Sequence, residues 1–349
     1  MMTENSEVPF TVAEELSRLV VGQRRAKAAL GRLIDMHMTW FDQPDRLHRA
    51  PNALIIGPTG TGKTHAITVV AEALRIPLAV IDSTRLVSVG SNQQISFEEI
   101  VIQLVKSARI ISQGGNSLTK SAEALAERGI IFLDEFDKLR YSTPSQENAA
   151  VQRRLLQFIE GETVFLEMDE KSAPRSIDTH GILFIAAGAF SGIRSKQVTS
   201  KRSMATSKTP ESGMTIQPQD VHEYGFVHEL VARLPIIIPF SRLVEDDLLE
   251  IINHEMVSPL KFYEFYFRQY DLDITIPDDT RRLIAHEAFR TSDSLGARGL
   301  HQELFPVLNA LATETVDLRD PAATGGRESS ITITPEIYRR LKSQAFRVE

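Results

Sequence analysis

Short runs of consecutive apolar residues alternate with longer stretches in which apolar positions recur every three or four residues. The runs are Ala53-Leu-Ile-Ile-Gly57, Leu78-Ala-Val-Ile-Asp82, Ile130-Ile-Phe-Leu-Asp134, Gly181-Ile-Leu-Phe-Ile-Ala-Ala187 and Pro235-Ile-Ile-Ile-Pro239. Each is too short for a helix and apolar throughout, which predicts strands buried on both faces. The periodic stretches predict helices. One begins at Thr11-Val-Ala-Glu14, which has the form of a capping box. A second runs from Gln23 to Met38 after a break at Gly22, a third starts at Lys63, and a fourth at Ser96-Phe-Glu-Glu99. Strands alternating with helices give an α/β class with a parallel sheet covered by helices. The strand order is not contained in the periodicity. From about Leu243 helical patterns dominate, with short strands predicted at 273–276 and 330–334. The expected division is a large domain, 1–242, followed by a small, mostly helical domain, 243–349.

One segment breaks the pattern. Residues 194–218 are rich in Ser, Thr, Lys and Met and have no apolar period, so they read as a mobile insertion. Lys196, Lys201, Arg202 and Lys208 make it locally basic. Its plain reading is a solvated loop; the sharper one is a contact with a partner or a polymer. The whole chain carries a net charge of −7, which argues against a protein that coats nucleic acid. It has no cysteine, so disulfides, thiolate nucleophiles and cysteine-held zinc are excluded. No basic-then-apolar leader and no stretch of 18 apolar residues is present, so a cytoplasmic location away from membranes is expected. His222, Glu223, His228 and Glu229 lie close together but lack His-Glu-x-x-His spacing, and read as polar groups of a helix rather than a zinc site. The aromatic run from Phe262 to Phe267 has few interleaved cations and reads as packing within the small domain rather than a base-stacking platform.

The strongest chemical signal follows the first strand. Gly57, Pro58, Thr59, Gly60, Thr61, Gly62, Lys63 and Thr64 match G-x-x-x-x-G-K-[ST] at every required position. The glycines let the backbone turn tightly enough for several N–H groups to face phosphate oxygens. The following helix adds the positive end of its dipole. In this pattern the lysine reaches the β- and γ-phosphates of ATP, and the Thr64 hydroxyl is a ligand of Mg²⁺. Such a loop needs an acid at the end of a neighbouring strand. Asp134 supplies it, as the metal's second protein ligand, held mainly through its water shell. Glu135, immediately after it, is placed to polarise an attacking water, which a hydrolase needs and a pure switch does not.

These residues resemble those of the AAA+ ATPases, in particular the ClpX/HslU clade, over about residues 20–341. Val20-Val-Gly-Gln23 followed by Ala26-Lys27 is similar to the segment that packs against adenine in that clade, which implies Val21 as a nucleotide contact. Ile131-Phe-Leu-Asp-Glu-Phe-Asp-Lys138 resembles its Walker B block, and the stretch from Asp178 to Phe190 its sensor-1 strand. The stretch from Tyr224 to Pro235 looks like the box that carries the arginine finger, and Leu295-Gly-Ala-Arg-Gly-Leu300 like the sensor-2 motif. The resemblance implies that Arg233 reaches the γ-phosphate on a neighbouring subunit and that Arg298 contacts the phosphates from its own chain's small domain. It further implies a homo-oligomeric ring, usually a hexamer, acting on a protein substrate. Guanidinium groups suit both roles, since their planar positive charge is permanent.

The chain departs from the clade in places. The pore-loop position that carries an aromatic in the unfoldases is Ser88, within Val87-Ser-Val-Gly90. A serine lacks the large, sequence-tolerant contact area with which an aromatic grips a peptide. There is no cysteine zinc module, no room for the large inserted domain of HslU, and no Ile-Gly-Phe tripeptide of the kind that docks ClpX on its peptidase. At the sensor-1 strand end, Ala186-Ala-Gly-Ala189 offers no polar side chain. The leading expectation is an ATPase that remodels or unfolds a protein substrate. A nucleotide-controlled assembly factor that recruits a partner without threading is the alternative. A nucleic-acid motor using the basic 194–208 loop is less favoured because the chain is acidic.

Overall fold

The computed structural model describes residues 12–41, 49–87, 95–113, 121–141, 146–166, 175–193, 196–197, 214–291, 295–317 and 329–345. In chain order the elements are α1 (Val12–Leu19), α2 (Arg24–Trp40), β1 (Ala53–Ile56), α3 (Lys63–Ala73), β2 (Leu78–Asp82), α4 (Phe97–Gln113), α5 (Ala122–Ala126) and β3 (Ile130–Asp134). Then come α6 (Gln146–Glu160), β4 (Thr163–Leu166), β5 (Arg175–Asp178), β6 (Leu183–Gly188), β7 (Lys196–Gln197), β8 (Met214–Thr215), α7 (Pro218–Gly225), α8 (His228–Ala232) and β9 (Ile236–Pro239). The chain closes with α9 (Glu245–Asn253), α10 (Leu260–Arg268), β10 (Leu272–Thr275), α11 (Asp278–Thr291), α12 (Arg298–Asp317), β11 (Ser329–Thr332) and α13 (Pro335–Ala345). They fall into two compact units. One comprises Met1–Ser17, Arg24–Gly57 and Lys63–Phe240; the other comprises Arg18–Gln23, Pro58–Gly62 and Ser241–Glu349.

The first unit is built on a five-stranded sheet in the order β2-β3-β6-β1-β9, with every pair parallel. All five apolar runs of the sequence form it. The three inner strands are apolar because both their faces are covered: β1 and β6 are buried at every position, and Ile130 to Leu133 of β3 are fully buried. The edge strands β2 and β9 each expose part of their length, with Val80 42% and Ile236 36% exposed. Helix α4 shows why a periodic stretch becomes a helix here. Ser96 Oγ accepts the Glu99 N–H at 3.1 Å while Glu99 Oε2 accepts the Ser96 N–H at 2.8 Å, a reciprocal cap. Ile100, Val101, Leu104, Val105 and Ala108 then form one buried stripe.

Several details differ from the sequence-based expectation. The sensor-1 strand β6 starts at Leu183 rather than Gly181. Residues Thr179–Gly181 form a 3-10 turn instead, capped by Asp178, whose Oδ1 accepts the His180 N–H at 2.9 Å. An antiparallel hairpin of β4 and β5 precedes it, paired from Thr163↔Asp178 to Leu166↔Arg175. Four residues of alternation are too short a signal to separate from a loop in sequence. Within the insertion read as a loop, β7 and β8 form a two-residue antiparallel ladder, Lys196↔Thr215 and Gln197↔Met214. The insertion residues 198–213, Thr11 of the first cap and the pore-loop positions Ser88, Val89 and Gly90 lie outside the described residues.

The second unit packs α9 to α13 around a core that includes Leu248, Phe267, Ile284, Leu304 and Tyr338, with β10 and β11 as a parallel pair. In the aromatic run, Tyr263 and Phe267 are buried in this core, whereas Phe262 and Phe265 are 67% and 65% exposed. Only part of that run therefore packs as anticipated. Among the described residues no helix is long and apolar enough to cross a membrane.

One buried group sets a pH dependence in the first unit. His37 of α2 is 2% exposed, its Nε2 pairs with the Arg128 carbonyl at 3.0 Å, and its ring meets Phe41 edge-on at 5.4 Å. Burial pushes its pKa down to about 4, with the Arg128 hydrogen bond acting the other way. The unfolded chain, with an ordinary histidine near pH ~6.5, therefore binds a proton that the folded chain refuses. The stability carried by neutral His37 is complete above that value and is lost as pH falls toward the folded pKa. A His37→Gln chain should lose about 2.5 kcal/mol less stability than the unaltered chain between pH ~7 and ~4.5. Denaturant titration at both pH values measures it, and equal losses in the two chains would refute the assignment.

Candidate active site

Strands β1, β3 and β6 present their C-terminal ends on one edge of the sheet, where Gly57, Lys63, Thr64, Asp134 and Glu135 gather, whereas Arg233 lies near the start of β1. Gly57 leaves β1 with its N–H on the Gly188 carbonyl at 3.2 Å, while the Phe240 N–H donates to the Ile56 carbonyl at 2.7 Å. A Cβ on Gly57 would sit 2.4 Å from the Phe240 carbonyl oxygen, so only glycine fits. Lys63 opens α3, and its Nζ donates to the Gly57 carbonyl oxygen at 2.7 Å. The Thr64 hydroxyl donates to Asp134 Oδ2 at 2.5 Å, and Asp134 Oδ1 accepts the Glu135 N–H at 2.9 Å. Positions 70 residues apart in sequence are thus joined by one hydrogen bond.

Glu135 occupies the left-handed region, φ 52° and ψ 33°. A non-glycine residue there carries strain that its surroundings must impose. They do so by burying both flanks. Leu133 is fully buried in β3, and Phe136 stacks on Phe226 with ring centroids 5.0 Å apart at 16°. The carboxylate of Glu135 is thereby displayed just beyond Asp134. Asp137, also buried, closes the turn against β6: its Oδ1 accepts the Ala189 N–H at 3.1 Å. A Cβ on Gly188 would lie 2.6 Å from that oxygen. This explains the apolar, small-residue end of the sensor-1 strand, because Asp137 fills the space a side chain would need.

The middle of the glycine loop groups with the second unit. Gly60 and Gly62 have φ of 75° and 90°, values that side-chain-bearing residues seldom adopt. The Thr61 hydroxyl donates to the Pro58 carbonyl at 2.9 Å, and the Gly60 carbonyl accepts the Ala297 N–H at 2.9 Å. Arg298, the next residue, opens α12. Val21 is buried. Gln23 carries a role that the motif alone did not reveal. Its side-chain amide pairs reciprocally with the Ser241 backbone, Nε2 to O at 2.7 Å and N–H to Oε1 at 2.9 Å, and also reaches the Thr61 carbonyl at 3.4 Å. The only cue in sequence is a lone amide closing an apolar Val-Val-Gly run.

Arg233, in the first unit, follows α8 directly. Its Nε and Nη2 both donate to Glu160 Oε1, at 3.1 and 2.6 Å, in a half-exposed ion pair. The histidines beside this box serve the helix. His222 Nδ1 pairs with the Phe226 carbonyl at 2.8 Å, and its ring meets that of His228 edge-on at 5.7 Å.

The oxygen donors fit a small divalent cation. The Thr64 hydroxyl and Asp134 carboxylate stand in contact, and both are the hard ligands Mg²⁺ prefers. Among the described residues no group of three or more His, Asp or Glu could hold a metal by itself. That matches a cation that takes one or two protein ligands and completes its shell with phosphates and water.

Comparison with known proteins agrees with this geometry. The family model for the AAA domain (Cdc48 subfamily) matches residues 48–237. The chain is 30% identical over 319 residues to the ATP-dependent Clp protease ATP-binding subunit ClpX of Treponema denticola, covering 84% of this chain and 73% of the relative. It is 30% identical over 322 residues to ClpX of Porphyromonas gingivalis, covering 84% and 74%. It is 28% identical over 324 residues to ClpX 2 of Wolinella succinogenes, covering 88% and 77%. A parallel sheet that sets Thr64 against Asp134, together with likeness over most of the chain, shows that this protein belongs to the AAA+ ATPases and is ClpX-like.

Proposed function

We propose that this ATPase works as a magnesium-dependent homo-oligomeric ring in the cytoplasm, spending ATP hydrolysis on the remodelling of a protein substrate. The observation that carries the reading is the Thr64–Asp134 hydrogen bond, which sets both candidate magnesium ligands at the mouth of the glycine loop. Thr64 and Asp134 would hold Mg²⁺, which when bound would supply positive charge to offset that of the phosphates. Backbone N–H groups of residues 57–64 receive the phosphates, and Lys63 transfers its ammonium from the Gly57 carbonyl to the β- and γ-phosphates. Glu135 accepts a hydrogen bond from the attacking water and aims it at the γ-phosphorus. Its left-handed backbone commits the carboxylate to that position before ATP arrives. Val21 contacts the base, and Arg298 contacts the phosphates.

Arg233 is assigned to the neighbouring subunit's nucleotide. A guanidinium supplied from outside can be worth roughly 10³- to 10⁵-fold in rate, which makes assembly a condition of turnover. The relatives are named as Clp protease ATP-binding subunits. The present sequence contains no Ile-Gly-Phe tripeptide and has Ser88 where the resemblance places the pore-loop aromatic, so the proposal is limited to remodelling of a protein substrate and names neither a peptidase nor threading.

Removing the Lys63 ammonium should weaken ATP binding by about 10- to 100-fold, the value of a charge-assisted contact of about 1.5–3 kcal/mol. Calorimetry on Lys63→Ala with ATP and magnesium measures it; unchanged affinity would overturn the cradle. Glu135→Gln should bind ATP normally and turn it over roughly 10²- to 10⁴-fold more slowly. Undiminished phosphate release would remove Glu135 from its role. Arg233→Ala should bind ATP normally and hydrolyse it roughly 10³- to 10⁵-fold more slowly. Mixing it with Glu135→Gln should restore part of the activity, because a mixed interface pairs an intact finger with an intact site. Absence of any recovery would count against a finger acting in trans.

A further inference from the structure

Glu160 is an acid in the last turn of α6, where the negative end of the helix dipole disfavours it. Gly161, at φ 111°, ends the helix immediately afterwards. The carboxylate therefore gains nothing from its own helix, and its partners lie elsewhere. It takes both Nε and Nη2 of Arg233 on the single oxygen Oε1, which leaves Arg233 Nη1 outside the pair. Arg49 stands close by, donating to the Ile159 carbonyl at 2.9 Å and to the His180 carbonyl at 2.9 Å. Burial first, and then the charge of Arg233, hold the Arg49 pKa below the usual arginine range, while Asp178 and Glu160 act in the opposite sense. Arg49, fixed by these two backbone carbonyls, is thus close enough to Arg233 and Glu160 for their charges to act on it.

The main chain of Arg233 is held as well. Its carbonyl accepts Asn52 Nδ2 at 3.2 Å, and Asn52 Oδ1 accepts the Phe184 N–H of β6 at 3.0 Å. Asn52 is 3% exposed and stands just before β1. Backbone and guanidinium are therefore anchored separately, the first to the sheet and the second to the end of α6. A free arginine side chain carries considerable rotamer entropy. One held at Nε has lost much of it before it meets a phosphate.

We infer that Glu160 is a positioning residue for the arginine finger: it grips Arg233 by its Nε side and points the rest of the guanidinium at the neighbouring subunit's nucleotide. This rests on the reading of Arg233 as a finger acting in trans. The pair is half-exposed, so its contribution to folding is small and its effect falls on turnover.

The test is steady-state ATP hydrolysis by the full chain, with the oligomer followed by sedimentation in ATP. Glu160→Ala should lower kcat roughly tenfold, as expected when a catalytic group is misplaced, with KM for ATP changed less than about twofold because the finger acts outside the subunit's own cradle. Glu160→Gln keeps an acceptor oxygen and should fall between the two. The Glu160→Ala, Arg233→Ala double variant should be no slower than Arg233→Ala alone, since Glu160 acts only through that side chain. An unchanged or raised kcat in Glu160→Ala overturns the proposal, as does a fall that accompanies loss of the oligomer or an additive loss in the double variant. Full turnover by Arg233→Ala would instead overturn the finger reading itself, so the two failures are distinct.

Discussion

Three apolar strands buried on both faces, β1, β3 and β6, fix everything at the site. Because they are parallel and adjacent, their carboxyl ends fall on one edge, and whatever follows each strand is delivered to the same place. The Thr64–Asp134 hydrogen bond is the direct consequence. So is the contact between Gly57 and Gly188, which ties the glycine loop to the end of β6. A slip of one residue in any of these ladders would carry whatever follows the strand about 3.3 Å along the sheet, so register and active-site geometry are set together.

Polar groups at the sheet's edge convert that rigidity into chemistry. Asp134 uses both carboxylate oxygens, one for Thr64 and one for the Glu135 amide, and so is oriented before any ligand binds. Asp137 braces the turn after β3 against β6, and Phe136 locks it through the ring of Phe226. The left-handed backbone of Glu135 is the cost of this arrangement, and it falls on the residue assigned to the attacking water. A strained backbone at that residue is better explained by placement of a carboxylate than by folding, since the turn would form more easily with glycine.

The same logic extends to Arg233. The proposed finger is rooted through Asn52 in the five-stranded sheet and held on its Nε side by Glu160. Strand β1 therefore begins beside Arg233, the proposed finger, and ends at Gly57, where the glycine loop starts. On the proposed reading, one rigid strand lies between a group offered to a neighbour and the chain's own phosphate loop.

By itself the sequence determined the five strands, the α/β class, the glycine loop with its strand and helix, and the acid pair Asp134–Glu135, because each is a local signal written within a few residues. A run such as Ile130-Ile-Phe-Leu has only one comfortable environment, and G-x-x-x-x-G-K-T has little use other than phosphate. Tertiary structure alone decided the strand order, the hairpin of β4 and β5, and the partners Gln23, Asn52, Asp137 and Glu160. Each of these is a single polar residue whose meaning is a contact with a segment far away in the chain. Periodicity reports which face of an element is buried, and it carries no information about which distant backbone will lie against it.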